Sequence, residues 1–448
     1  MADDPTGEIT ELLSRLIANA CVNDGTTASG HEHRNAAVLG AVLEGPGLDL
    51  QSYEPAPGRR SIVARIEGRD PSAPTLVLLG HTDVVPASPE GWQRDPFGGE
   101  VVDGVVWGRG AVDMLNLTAS MALATRRLAD TGWRPEGTLV FVGVADEEAL
   151  GEHGAGWLTD HAWDQVGGEY LITESGGVPL RTPAGTRLGV TVGEKGAMWT
   201  RLVVRGTPGH ASRPLRTDNA LVTAARVVQR ISDFRGPAVI GEAWRRYVQG
   251  MAFEPDLSAA LLDAGRIDEV AATLPRLDLA RTADACTHLT MAPTVMHAGT
   301  KTNVIPDHVV MDIDVRTLPG QGTDEVRAAL AEAIGDLADR VEVVSVVDDA
   351  ATASPVRTPL WEAIAQVAAE LSPGATCLPT MTTGATDARF YRRHGSTAYG
   401  FGLFSDHMTP GRFSAMFHGD DERIDVESLR LSVELWGRLA RRFLERTD

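Results

Sequence analysis

The chain has 448 residues, 43% of them hydrophobic, which is enough for more than one core and too apolar for a disordered chain. Its 61 acidic residues outnumber 41 basic ones and leave a formal net charge of -20, so phosphate backbones and anionic lipid are repelled, and nucleic-acid or membrane-surface binding is excluded as a leading function. Three cysteines, Cys21, Cys286 and Cys377, stand far apart without a CxxC pair, which excludes a disulfide framework and a thiolate zinc site.

The start, Met1-Ala2-Asp3-Asp4-Pro5, puts no basic region ahead of an apolar stretch, and no apolar run reaches the ~18 residues of a membrane span. A cytoplasmic protein is expected. Ile9 to Ile17 has helical periodicity, and Ser29-Gly30-x-Glu32 opens a second helix. His31 and His33 stand there two residues apart, whereas a helical metal pair needs ligands one turn apart. Ser61 to Glu67 alternates as a strand. Thr75 to Gly80 is an uninterrupted apolar run, as expected of a strand buried on both faces in mid-sheet.

A Gly/Pro/Trp-rich loop fills 86 to 110, a length that usually carries function. A helix over Leu117 to Leu128 follows, then strands over Thr138 to Ala145 and Glu169 to Thr173; strands alternating with helices predict an α/β sheet. Near Gly193 the pattern changes. Half-exposed strands, Ala197 to Arg205 and Val309 to Val315, frame a helix over Ala220 to Ile231 and a mostly helical stretch from Ala238 to Cys286, which predicts an inserted α+β domain. After Pro319 the α/β pattern resumes: helix Asp324 to Ile334, strand Val341 to Val347, helix Leu360 to Leu371, strand Thr397 to Phe401 and a closing helix Val426 to Phe443.

Polar residues gather at the ends of these elements. His81 and Asp83 follow the central strand; a neutral imidazole binds a metal through one nitrogen while a nearby carboxylate takes the other N–H. Asp113 precedes a helix, where a plain cap fits as well as a ligand. Asp146-Glu147-Glu148 closes another apolar strand, as a solvated turn or around a cation. Glu174 ends the next strand, and His418 follows an aromatic loop. Together, two imidazoles and three carboxylates suffice for two zinc ions sharing one bridging carboxylate, and the Glu147-Glu148 pair supplies one ligand and one general base.

The stretches Gly80-His81-Thr82-Asp83, Trp107-Gly108-Arg109-Gly110-x-x-Asp113-Met114, Asp146-Glu147-Glu148, Glu194-Lys195-Gly196, Gly209-His210-Ala211-Ser212-x-Pro214, Asn303-Val304-Ile305-Pro306 and His418-Gly419-x-Asp421-Glu422 occur in this order. In them the chain resembles the dinuclear-zinc exopeptidase and aminoacylase family, which includes carboxypeptidase G, acetylornithine deacetylase, succinyl-diaminopimelate desuccinylase and dipeptidases. The resemblance implies an α/β catalytic domain with a mixed sheet flanked by helices, from residues 1–192 and 317–448. It also implies an inserted α+β, ferredoxin-like lid or dimerisation domain over 193–316.

It further implies that His81 and Glu174 hold one zinc, that Glu148 and His418 hold the other, and that Asp113 bridges, with cobalt or manganese as substitutes. Asp83 would orient His81, and Glu147 would be the general base and later the acid. A cis peptide after Asp113 is implied too. His210 would bind the oxyanion, reaching the site of a partner in a homodimer formed through the inserted domain. Asn303, Arg316, Gly384 and Thr386 would hold substrate; for Arg316 a structural salt bridge fits equally, and for Arg389 a structural role fits better. Leu115-Asn116 stands where the family has Lys-Gly, and Glu174 where some members have Asp.

The implied activity is hydrolysis of an amide or peptide bond beside a free carboxylate, in an N-acyl amino acid or short peptide. A non-catalytic metal- or peptide-binding protein on the same scaffold is the alternative, against which the complete ligand set and base argue. A dinucleotide oxidoreductase fails because Gly108-x-Gly110 runs on to Asp113 instead of a third glycine, and a serine hydrolase fails for want of GxSxG.

Overall fold

The computed structural model describes residues 4–445. Met1, Ala2 and Asp3, on which the expectation of no leader partly rests, lie outside them. The chain divides into two units. The first takes in the chain up to Val192, Ser354–Thr380 and the chain from Thr386 on; the second is Gly193–Ala353 with Met381–Ala385.

The first unit is a mixed sheet with helices on both faces. In spatial order its strands are Asp49–Tyr53, Ser61–Ile66, Thr138–Val144, Thr75–His81, Tyr170–Thr173, Thr397–Gly400 and Gly185–Glu194. Thr75–His81 lies between two parallel neighbours, with Leu78 opposite Phe141 on one side and Ile172 on the other. That position explains the unbroken apolar run, since both faces are covered. Val77, Leu79, Val140, Val142 and Leu171 pack under Ala155, Leu158, Val166 and Tyr391. The helices Thr6–Ala18, Leu115–Asp130 and Val426–Leu444 pack together, the last two also against the central strand. Ser61–Ile66 does not alternate in burial, because it too lies between strands with both faces covered.

The 86–110 loop contains a short hairpin, Val101–Val102 with Val105–Trp107, and the latter pairs with Arg423–Asp425. That pairing spans more than three hundred positions and has no local signal in the sequence. The strands Asp49–Tyr53, Gly176–Thr182, Gly185–Glu194 and Thr376–Thr382 were likewise outside the sequence expectation.

The second unit follows the order strand Thr200–Arg205, helix Ala220–Asp233, strands Thr290–Ala298 and His308–Thr317, helix Thr323–Ile334, strand Val341–Ser345. The strands pair antiparallel, and this split βαβ succession covers one sheet face with both helices. Between the first helix and second strand, Glu242–Met251, Pro255–Leu261, Ile267–Thr273 and Leu277–Thr287 form a helical cluster around Trp244, Val248, Leu261 and Ala283.

The expected boundary at 316/317 needs correction. Val341–Ser345 pairs with Thr200–Arg205, with Leu202 opposite Val343, so the helix and strand after Pro319 complete the second unit's sheet instead of resuming the first. A helix–strand alternation in sequence does not say which sheet accepts the strand. The cysteines are all free; Cys21 and Cys286 are buried and Cys377 is half-buried. No helix of the described residues is long and apolar enough to cross a membrane.

Candidate metal centre in the first unit

Parallel strands end together, and here their ends carry the polar residues. His81 closes Thr75–His81, Asp146-Glu147-Glu148 follows Thr138–Val144, and Glu174 follows Tyr170–Thr173. Ligands in open α/β sheets gather at such carboxyl ends. The His81 ring is buried, and its Nδ1 lies 2.9 Å from the carbonyl oxygen of Asp83. A carbonyl only accepts, so Nδ1 carries a proton, and in the neutral ring the lone pair sits on Nε2. That lone pair faces Asp113 Oδ1 at 3.2 Å. Two acceptors cannot share a hydrogen bond; a proton or a cation has to lie between them.

The other Asp113 oxygen stands 3.0 Å from His418 Nε2, and Glu148 Oε2 is 3.5 Å from the same nitrogen. Two groups of donors result, His81–Asp113–Glu174 and Asp113–Glu148–His418, each with its ligand atoms within 4.8 Å of one another. Asp113 belongs to both. Glu148 Oε1 is buried without a hydrogen bond, as a waiting cation ligand would be. Nitrogen and carboxylate donors of this kind suit zinc, cobalt or manganese, so the residues fit the implied cations.

The charges are crowded. For the side chains alone, burial pushes the Glu147 carboxyl well above its ordinary range, and Glu174 adds to the rise. Burial and Asp113 do the same to Glu174, and to a lesser degree to Glu148. Burial pulls the His81 imidazole down, but its bonds to Asp113 and Asp83 outweigh that and hold it well above its usual value. His418 is pushed up to about 10 by Asp113 and Glu148. Protons would thus occupy positions that a cation pair would replace. Glu147 belongs to neither donor group, although its backbone lies between Asp146 and Glu148 in the same turn.

Asp83 does more than the sequence suggests. Its carbonyl, not its carboxylate, takes the His81 N–H; the carboxylate Oδ1 stays 3.5 Å away. Its Oδ2 accepts from Asn23 Nδ2 at 2.8 Å and from the Glu148 backbone N–H at 3.1 Å, so one carboxylate ties the His81 strand to the Glu148 turn. Asn23 in turn reaches Asp146 and accepts from Arg59, whose guanidinium pairs with Glu32 at 2.6 Å. The Glu32 cluster at the second helix is therefore outer support for the site.

Glu422 is the residue the sequence reading left without a role. Fully buried, it accepts from the backbone N–H groups of Gly110, Val112 and Asp113 at 3.0, 2.6 and 2.9 Å, and from Arg109 at 2.8 Å. It lies four positions after His418, so it joins that segment to the Asp113 loop. From the 86–110 loop, Gln93 donates twice to Asp421 at 2.8 and 2.6 Å. Asp146, Ser175, His418 and Asp421 are all left-handed at positive φ without being glycine, a strain typical of functional sites. The Asp113–Met114 peptide is cis.

Neither donor group contains the other expected residues. His210, Asn303, Arg316 and Gly384 are in the second unit. His210 is exposed, and its Nδ1 accepts from the Ser212 backbone N–H at 3.2 Å, which leaves the proton on Nε2. The Asn303 carbonyl accepts from Ala211 N–H at 3.1 Å, beside the His210 strand. Arg316 grips Asp314 with both prongs, at 2.7 and 3.1 Å, as a structural salt bridge would. Thr386 is buried in the first unit, at the start of the segment leading to Arg389.

The model of peptidase family M20/M25/M40 matches residues 77–442. The N-fatty-acyl-amino acid synthase/hydrolase PM20D1 of Xenopus tropicalis is 27% identical over 392 residues, covering 85% of this chain and 74% of its own length. The succinyl-diaminopimelate desuccinylase of Maricaulis maris is 27% identical over 422 residues, covering 91% and 90%. The crystal structure of the M20 family metallo-carboxypeptidase Sso-CP2 from Sulfolobus solfataricus superposes with a TM-score of 0.73 at 16% identity, covering 98% of this chain and 99% of that one, which shows the shared fold. With the family model spanning every residue of the metal centre, the chain belongs to peptidase family M20/M25/M40, a family of peptidase and acylase hydrolases.

Proposed function

We propose that the chain hydrolyses an amide or peptide bond next to a free carboxylate, in an N-acyl amino acid or a short peptide, with two divalent cations in the first unit. The observation that carries this is Asp113, one oxygen toward His81 and the other toward His418, shared by two donor groups. In this reading His81 and Glu174 hold one cation, Glu148 and His418 the other, and Asp113 both. Zinc is the expected metal. A bound pair polarises the scissile carbonyl and lowers the pKa of water from ~15.7 toward ~7.

The chain's own residues do the rest. Glu147 takes the proton from the attacking water and returns it to the leaving nitrogen. Its burial in an acidic cluster favours the protonated form and suits the second half of that task. Asp83 keeps the His81 proton on Nδ1 and the lone pair on Nε2. His210 offers its Nε2 proton to the oxyanion; one such donor is typically worth ~2.7–4 kcal/mol. Asn303, Arg316, Gly384 and Thr386 receive the carboxylate end of the substrate, and a homodimer through the second unit goes with the role given to His210. The relatives' names, a desuccinylase and an N-fatty-acyl-amino acid synthase/hydrolase, support an acylated amino compound as substrate.

The test is Glu147→Ala, with bound zinc counted and turnover measured on a panel of N-acyl amino acids and dipeptides. The variant should retain two metals per chain and lose roughly 10³-fold or more in kcat. Full activity would sink the mechanism.

A further inference from the structure

Glu147 and Glu148 sit on a short 3-10 turn, Glu147–Ala149, bracketed by backbone that resists it. Asp146 and Leu150 are left-handed at φ 71° and 75°, and Gly151 follows at φ 70°. A non-glycine residue in that region persists only where its surroundings hold it. Within the turn, Leu150 N–H bonds to the Glu147 carbonyl at 3.0 Å and Gly151 N–H to the Asp146 carbonyl at 2.7 Å. On the Glu148 side the Asp83 carboxylate holds it, as described above. The Leu150 end is held from elsewhere.

That support is Arg389. It is 2% exposed, and its bonds include two to carbonyls: Nη2 donates to the Leu150 oxygen at 2.8 Å and Nη1 to the Thr386 oxygen at 2.5 Å. Its guanidinium lies 4.5 Å from the centre of the Phe390 ring. That same ring and Asp387 Oδ1 close on Gly151, where a Cβ would stand 2.9 and 2.6 Å from them. Residues 386–390 therefore form a shelf under the end of the turn that carries Glu147. Burying a guanidinium is costly unless its donors are met, and its planar fork can bridge two separate carbonyls where a lysine offers one compact charge.

We infer that Arg389 is a positioning residue that couples Thr386 to the placement of Glu147. Resting on the function proposed above, in which Thr386 receives the substrate carboxylate, this makes the carboxylate a switch for catalysis as well as a handle for binding. The Arg389 fork holds the Thr386 and Leu150 carbonyls together, so a substrate carboxylate that draws on Thr386 acts on the same fork that sets Glu147 against the scissile bond. A substrate lacking the carboxylate would bind more weakly and would also meet a less well placed base, so its kcat would fall as well as its KM rise.

The experiment compares wild type, Arg389→Lys and Arg389→Ala, each loaded with zinc. The substrates are the N-acyl amino acid or dipeptide that the wild type turns over fastest and the same compound as its C-terminal carboxamide. Zinc content and melting temperature are measured on the same samples. With the coupling present, the wild type favours the carboxylate in kcat. Arg389→Ala loses ~100-fold in kcat on the carboxylate and under threefold on the carboxamide, as expected of a misplaced group, with KM little changed and two zinc ions retained. Arg389→Lys, which keeps the charge and one bond, falls between. An equal loss on both substrates, a loss of zinc, or no loss at all would overturn the coupling while leaving the proposed function standing. A wild type that hydrolyses no member of the panel, or a Glu147→Ala variant that stays active, counts against the proposed function instead.

Discussion

At the residue scale, the centre is decided by which atoms can donate. His81 and Asp113 could pass for a simple hydrogen-bonded pair at 3.2 Å, but in the neutral ring the Asp83 carbonyl has already claimed the one imidazole proton. The same accounting picks out Lys195 in the second unit. Its Nζ is buried and donates to the His288 carbonyl at 2.8 Å and to Thr290 Oγ1 at 2.9 Å, and burial pushes its pKa down from 10.5 to about 8. Between those two values the unfolded chain binds a proton that the folded chain does not, so stability rises with pH across that window. Comparing wild type with Lys195→Met in urea at pH 7 and pH 10, wild type should gain on the variant by roughly 1–3 kcal/mol at the higher pH. An unchanged difference would mean that the amine is charged and satisfied throughout.

Among the elements, the central strand and the helix after Asp113 are fitted to each other at one glycine. A Cβ at Gly80 would lie 2.4 Å from Thr118 Oγ1 and 3.0 Å from Thr118 Cα, which is helix backbone and cannot swing aside. Thr118 Oγ1 also donates to the His81 carbonyl at 2.7 Å. Gly80→Ala should therefore displace the start of Leu115–Asp130, and with it Asp113, relative to His81. The expected cost is about 1–3 kcal/mol, the usual range for overpacking. Weaker zinc binding should appear in a chelator competition; normal stability and normal zinc affinity together would contradict this packing account. The departure at Leu115-Asn116 belongs to the same helix start. Both side chains are fully buried, and the Asn116 amide has no hydrogen bond, so the departure changes the interior of this junction.

Across the whole molecule, the strongest consequence is linkage between cations and folding. Glu174 is buried and Glu147 and Glu148 are half-buried, and each of the three is pushed toward its protonated form. A cation pair that binds only the folded chain adds stability by mass action, ~4.1 kcal/mol at a thousand times Kd. Chelator-treated protein should melt at a lower temperature, and zinc should restore the original value. A melting temperature indifferent to both would mean that these carboxylates do not hold ions.

Much of the first unit was legible in the sequence. The unbroken apolar run at Thr75 to Gly80 declared a covered central strand, and the parallel order then placed His81, Asp146 and Glu174 at one end of one sheet, because parallel strands share a direction. The change of pattern near Gly193 marked where a second unit begins. Three things depended on the folded chain. Val341–Ser345 joined the second unit's sheet because strand pairing is chosen by whichever edge is open nearby, which periodicity does not record. Glu422 became the anchor of Asp113 because four donors from a distant loop converge on it. Arg389 gained a specific contact because Leu150 was folded against it. Local chemistry is written residue by residue and can be read that way; long-range partners are set by closure of the chain over hundreds of positions, and only the assembled tertiary structure decides them.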